Sequence, residues 1–158
     1  VGSEMCIRDR FKLYQSDTGM LMARYPVGVA QAAYLDSKEH NLGGIYENVV
    51  AQQLAAQNRQ LYYYQTKKRG EVDFVVDGPD GTAVPIEVKS GSYYHAHAAL
   101  GHVLDTAEYG VRLGIVFSKG NVERNGAALY LPLYATWALS DVLGDSCAEG
   151  IKLEVKPV

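Results

Sequence analysis

The stretch GEVDFVVDGPDGTAVPIEVKSG, residues 70–91, constrains the fold more than any other part of the chain. Val72, Phe74 and Val76, then Val84, Ile86 and Val88, recur at period two, the spacing of strands that bury one face. GPDG between them is turn chemistry. The two runs therefore predict a β-hairpin. If it closes symmetrically about Asp80, Asp73 faces Glu87 and Glu71 faces Lys89, and all four charges share one face. Two carboxylates directly opposite each other are unfavourable by roughly several tenths of a kcal/mol. A bound cation removes that conflict. One Asp and one Glu at a strand spacing are hard oxygen ligands suited to Mg²⁺, which keeps several of its waters. Lys89 beside them could orient an attacking water or stabilise charge on a phosphate. The same pattern also describes a wet sheet face on which Glu71 and Lys89 form an ordinary cross-strand pair.

The rest of the chain bounds the class. At 158 residues, 47% hydrophobic and 21% charged, it has the size and make-up of one soluble globular domain. A net charge of −3 and a pI near 5.8 argue against strong nonspecific nucleic-acid binding, although not against a local basic patch. No apolar run approaches a membrane span, and Cys6 and Cys147 make neither a disulfide framework nor a metal spacing. A cytoplasmic setting is the expectation. VGSEMCIRDR, residues 1–10, has no apolar period and reads as a translated sequencing adapter, so it is set aside from the fold.

Residues 11–42 lead with an extended piece, a turn and a short helix capped by Ser16 or Asp17, followed by an irregular, partly helical run. The triplet Asp17–Thr18–Gly19 is also that of aspartic proteases, but Met20 and Leu21 start a helix here. GGIYENVVAQQLAAQN, 43–58, is an amphipathic helix on Ile45, Val49 and Leu54. LYYYQ, 61–65, is β-prone, and its tyrosines either stack on bases or alternate between core and surface. Lys67, Lys68 and Arg69 form a basic connector and are candidate phosphate contacts. A helix over about 94–107, a buried strand over 111–118, a polar loop at KGNVERNG, and a strand then helix over 128–139 follow. Trp137 reads as packing with Leu133 and Leu139. His95 and His97 could ligate together only from an extended segment. The tail, 140–158, contains IKLEV, a candidate edge strand. Three strands in a meander, then a helix and a strand parallel to the third, predict an α/β fold of the α+β kind with a mixed sheet.

Asp73, then Glu87-x-Lys89 on the next strand, after a helix carrying Glu47, resembles the PD-(D/E)XK restriction-endonuclease-like superfamily. Val72 stands where that motif's proline would be. KLYQSDTGMLM, GGIYENVVAQQL, GEVDFVV, VPIEVKSG and LYLPLYATWAL, in this order from Phe11 to Leu139, are similar to domain of unknown function 4143. That domain follows an AAA-type ATPase domain and a winged helix in prokaryotic proteins. The resemblance implies a nuclease-like core over 43–139, with Asp73, Glu87, Lys89 and Glu47 as catalytic residues and Mg²⁺ on Asp73 and Glu87. It also implies DNA as substrate and an ATPase region upstream of this chain. The chain contains no G-x-x-x-x-G-K-[ST] loop, so no ATP site of that kind is expected in it. The alternative is a noncatalytic module that binds DNA or protein for the ATPase.

Overall fold

A computed structural model describes residues 12–35, 37, 40–66, 68 and 70–144. Three short helices and a strand meander come first: α1 (Thr18–Met22), α2 (Val27–Tyr34), α3 (Gly43–Ala56), β1 (Tyr62–Thr66), β2 (Gly70–Asp77) and β3 (Ala83–Val88). Then come α4 (Ala98–Asp105), β4 (Gly114–Ser118), β5 (Glu123–Asn125), β6 (Ala128–Pro132), a 3-10 segment over Leu133–Ala138 and α5 (Leu139–Leu143). One six-stranded sheet runs in the order β1-β2-β3-β4-β6-β5. β1, β2 and β3 pair antiparallel, β3 and β4 parallel through α4, and β6 lies parallel to β4 and antiparallel to β5. The mixed α/β class expected from the sequence is what forms.

The turn sets the register of the hairpin. Gly78 N–H donates to Thr82 C=O at 2.8 Å, and the Asp80 carboxylate accepts from Thr82 N–H at 3.1 Å. Gly81 sits at φ +74°, a conformation that favours glycine. Phe74 then faces Ile86, Val75 faces Pro85, Val76 faces Val84 and Asp77 faces Ala83, which is the symmetry about Asp80.

The sheet is covered on both faces. α3, the 3-10 segment and α5 bury Val50, Leu54 and Leu139 against Phe74, Ile86, Val88, Ile115, Phe117 and Leu131. α4 covers the other face, with Leu100 on Val116 and Tyr130, and Ala99 and Val103 on Val72. Strands buried on both faces read as continuous apolar runs, as GIVFS does. Burying a side chain such as Leu54 or Ile86 contributes about 1.5–3 kcal/mol each.

Several details depart from the sequence reading. The polar loop contains β5, a three-residue edge strand. The buried stripe of α3 is Ile45, Asn48, Val50, Ala51 and Leu54, so a polar residue replaces the expected Val49. Trp137 is 54% exposed and Tyr134 78%, because a 3-10 segment repeats every three residues and sets positions 134 and 137 in one outward row. Asp17 caps α1, its carboxylate accepting from Met20 N–H at 2.7 Å, so the Asp-Thr-Gly triplet opens a helix here. Residues 1–10 and 145–158, with Cys6, Cys147 and the IKLEV segment, lie outside the described residues. No helix among the described residues is long and apolar enough to cross a membrane.

Candidate acidic site at the end of the hairpin

Glu71, Asp73, Glu87 and Lys89 lie beyond the end of the hairpin's backbone pairing. The β2–β3 ladder ends at Phe74–Ile86, one step before Asp73 and Glu87. The cause lies on the other side of β2. Val75 faces Tyr62 and Val72 faces Tyr64, so three steps along β2 match two along β1. The extra residue is a β-bulge at Asp73–Phe74. Such a bulge bends its strand and re-aims a side chain.

The bulge also breaks the alternation read from the sequence. Val72 packs with α4 on one face, while Phe74 and Val76 pack with α3 on the other. Residues 72 and 74 would share a face in a regular strand. Glu71 and Asp73 therefore come to lie beside α3. On β3 there is no bulge. Val84, Ile86 and Val88 face α3, and Glu87, opposite Val116 on β4, belongs to the α4 face. The expectation of four charges on one face is thus corrected: they form two clusters, and Asp73 lies between them. The Asp73 carboxylate bridges the gap by accepting from Val88 N–H at 2.8 Å, a donor that regular pairing would have given to the β2 backbone.

The first cluster centres on Lys12, a residue the sequence reading passed over. Its ammonium lies 2.5 Å from Glu71 Oε1, 3.5 Å from Asp73 Oδ1 and 3.9 Å from Glu47 Oε2. Burial works against the charge on Lys12, but the hydrogen bond to Glu71 and the surrounding negative charges outweigh it and hold the ammonium above the ordinary lysine range. Tyr14 O–H reaches Glu47 Oε2 at 3.5 Å. Burial, supported by Glu47 and Asp73 against the opposing pull of Lys12, pushes the Tyr14 phenol up to about 12. Glu47 itself is raised, first by burial and then by the Asp73 charge.

The second cluster is Glu87 with Lys89. Lys89 Nζ donates to Glu87 Oε1 at 2.6 Å. Glu87 is 6% exposed, and its Oε2 is buried with no hydrogen-bond partner. Burial raises the Glu87 carboxyl above its usual range; Lys89 pulls it down and Asp73 pushes it up. The expected cross-strand pair of Glu71 with Lys89 does not form, since each takes a different partner.

The leading segment is held in place by α3. Asn48, 2% exposed, accepts from Gln15 N–H at 2.7 Å and donates to Gln15 C=O at 3.1 Å and to Thr18 Oγ1 at 3.0 Å. Gln52 accepts from Thr18 N–H and O–H, both at 2.8 Å. The Tyr14 ring packs on Phe74 at 5.2 Å between centroids. A buried Asn on an amphipathic helix was the one local signal of this docking.

The other sequence candidates stand apart. Of the basic connector, Lys68 is exposed in the β1–β2 turn, and Lys67 and Arg69 lie outside the described residues. His95 and His97 do not converge on one point: His97 Nε2 is 2.6 Å from Tyr130 O–H, and His95 Nε2 is 3.7 Å from Glu123 Oε2. Burial lowers His97 below the ordinary imidazole range. Tyr64 packs with Val72 and Tyr109, a core role, while Tyr62 is 49% exposed. Among the described residues no three His, Cys, Asp or Glu side chains are gathered closely enough to hold a metal ion.

A family model described as Domain of unknown function (DUF4143) matches residues 42–135. The chain belongs to this family. The match contains Glu47, Asp73, Glu87 and Lys89, and it begins after the segment that supplies Lys12 and Tyr14. Comparison with curated proteins and with solved structures gave no match.

Proposed function

We propose that this domain is a Mg²⁺-dependent phosphodiesterase acting on DNA, of the PD-(D/E)XK type, and forms the C-terminal part of an AAA-type ATP-binding protein. The observation that carries the reading is Glu87: a buried carboxylate with one oxygen on Lys89 and the other without a partner. An anionic oxygen buried in this way is costly in a fold selected for stability alone. It is the kind of donor a hard cation takes. Asp73, whose carboxylate is held by Val88 N–H beside Glu87 on β3, supplies the second carboxylate. Asp73 and Glu87 would hold Mg²⁺, which needs only one or two carboxylates beside its waters. When bound, it supplies charge stabilisation at a phosphoryl oxygen.

The chain's own groups supply the rest. Lys89, fixed by Glu87, directs its remaining N–H donors toward a water or a phosphate oxygen at the site's edge. Glu47, with its proton held above the ordinary range, is placed to give or take a proton near Tyr14 and Asp73. The Asp73 carboxylate stays oriented by Val88 N–H.

A second reading rests on Lys12. Its pairing with Glu71, Asp73 and Glu47 satisfies these acids without any metal, as in a noncatalytic DNA- or protein-binding module of the ATPase. A plasmid-nicking assay with Mg²⁺ or Mn²⁺ separates the two. Nicking by the wild type that is lost in Asp73→Ala and in Lys89→Ala supports the enzyme. Nicking that persists undiminished in both variants, or none in the wild type, overturns it in favour of the module.

A further inference from the structure

The parallel strands β3 and β4 end side by side, and a cleft of about 310 Å³ opens beyond their carboxyl ends. Crevices in this position are where sheets with parallel strands take ligands. The walls come from three stretches of chain: Ser90 and Ser92 after β3, Lys119 after β4, and His40 with Asn41 ahead of α3. Their chemistry is one-sided. The Lys119 ammonium, the His40 imidazole and the serine hydroxyls can all donate hydrogen bonds, and no carboxylate lines the cleft among the described residues. In a chain of net charge −3, that lining suits an anion.

The two loops beyond the strands are fixed to each other. Ser118 is fully buried, and its hydroxyl accepts from Gly120 N–H at 3.1 Å, shaping the turn that presents Lys119. Tyr94, from the loop that carries Ser90 and Ser92, packs on that turn so closely that a Cβ at Gly120 would lie 2.7 Å from its hydroxyl. Lys119 Nζ lies 5.4 Å from the Tyr46 ring centroid, a contact that holds the ammonium at the first turn of α3. The cleft adjoins the proposed site, since Ser90 follows Lys89 and Tyr46 precedes Glu47.

We propose that this cleft binds a phosphate of the DNA backbone, beside the phosphate that Lys89 would meet, with Lys119 as its counter-charge and Ser92 as a neutral donor. The inference rests on the reading of DNA as substrate and adds a second point of attachment to it. A single phosphate contact fixes a point on the strand; a second one sets the direction in which the strand runs. Inorganic phosphate offers similar oxygens, so both ligands enter the test.

The test is fluorescence anisotropy of a labelled DNA duplex with the full chain, in chelator and across a salt series, for wild type, Lys119→Gln, Ser92→Ala and Arg112→Gln. Inorganic phosphate is titrated calorimetrically in parallel. Arg112, an exposed cation near Asp80 at the far end of the hairpin, controls for charge alone. Lys119→Gln should bind more weakly whatever the base sequence, and its slope of log affinity against log salt should fall by about one. Ser92→Ala should bind a few-fold more weakly at an unchanged slope, because a hydroxyl releases no counterion. Arg112→Gln should match the wild type. Lys119 and Ser92 are both exposed, so their variants leave the core as it is. A Lys119→Gln slope equal to that of the wild type, or an equal fall in Arg112→Gln, overturns the cleft. Phosphate binding that depends on Lys119 while DNA binding does not overturns the backbone assignment in favour of a free phosphate. Plasmid nicking in Mg²⁺ by the same variants keeps the two readings apart. Nicking with no Lys119 effect on DNA affinity removes the cleft and leaves the enzyme. A slope that depends on Lys119 in a protein that nicks nothing removes the enzyme and leaves the cleft. DNA binding by none of the forms overturns both.

Discussion

Replacing Glu87 by glutamine should stabilise the domain at neutral pH, and the gain should shrink on acidification. Glu87 is buried, gives one oxygen to Lys89 and leaves the other unpaired. Burial raises its carboxyl, ahead of the lowering by Lys89 and the further raising by Asp73. A carboxyl raised on folding holds its proton more tightly in the folded chain than in the unfolded one. Between the ordinary glutamate range and the raised folded value, the folded state therefore binds more protons, and stability falls as pH rises. For one group the slope is at most about 1.4 kcal/mol per pH unit. The penalty is complete above that window and absent below the unfolded range. Glutamine resembles the protonated acid and does not titrate. It keeps an acceptor for Lys89 but leaves a neutral amide buried, so the net gain at neutral pH should be about 1 kcal/mol. Glu47, raised in the same direction, persists in the variant and leaves a residual slope. Lys12 contributes nothing in this window, because a raised lysine stabilises below its unfolded range and loses that contribution only at strongly alkaline pH. Urea unfolding from about pH 4 to about pH 8, spanning the carboxyl range, measures the difference. A glutamine variant no more stable than the wild type at neutral pH, with a difference that is flat in pH, would refute the claim that the buried charge is a burden on the fold.

Two further outcomes concern the elements around the site. Asn48→Ala should cost about 1–3 kcal/mol in urea unfolding and speed hydrogen exchange at the Gln15 amide, since one side chain holds both backbone groups of Gln15. Tyr130→Phe should cost about 1 kcal/mol through the lost contact with His97, while the pH profile assigned to Glu87 stays as in the wild type.

The hairpin was legible because its register is local. A symmetric five-residue turn with glycine at the left-handed position fixes which residues face each other, and all of that lies within a few residues of sequence. α3 and β4 were legible by length and apolar content. The bulge was not, since an extra residue in β2 is defined only by its pairing with β1. Lys12 was not, because it meets Asp73 across 61 positions and belongs to a segment without regular structure. The alternation of Val72, Phe74 and Val76 looked regular because both faces of this sheet are buried, so an apolar residue suits either one. Trp137 was misplaced because a 3-10 segment and an α-helix have similar composition and different periods.

The bulge in β2 behaves as a phase shift. On its C-terminal side the hairpin is pinned by the turn at Asp80, and on its N-terminal side β2 follows β1. Straightening β2 at its present length, as one added residue in β1 between Tyr62 and Tyr64 would allow, would leave the hairpin pairing intact and rotate Glu71 to the α4 face, away from Lys12 and Glu47. Gain or loss of the acidic cluster can therefore ride on a single-residue change in length.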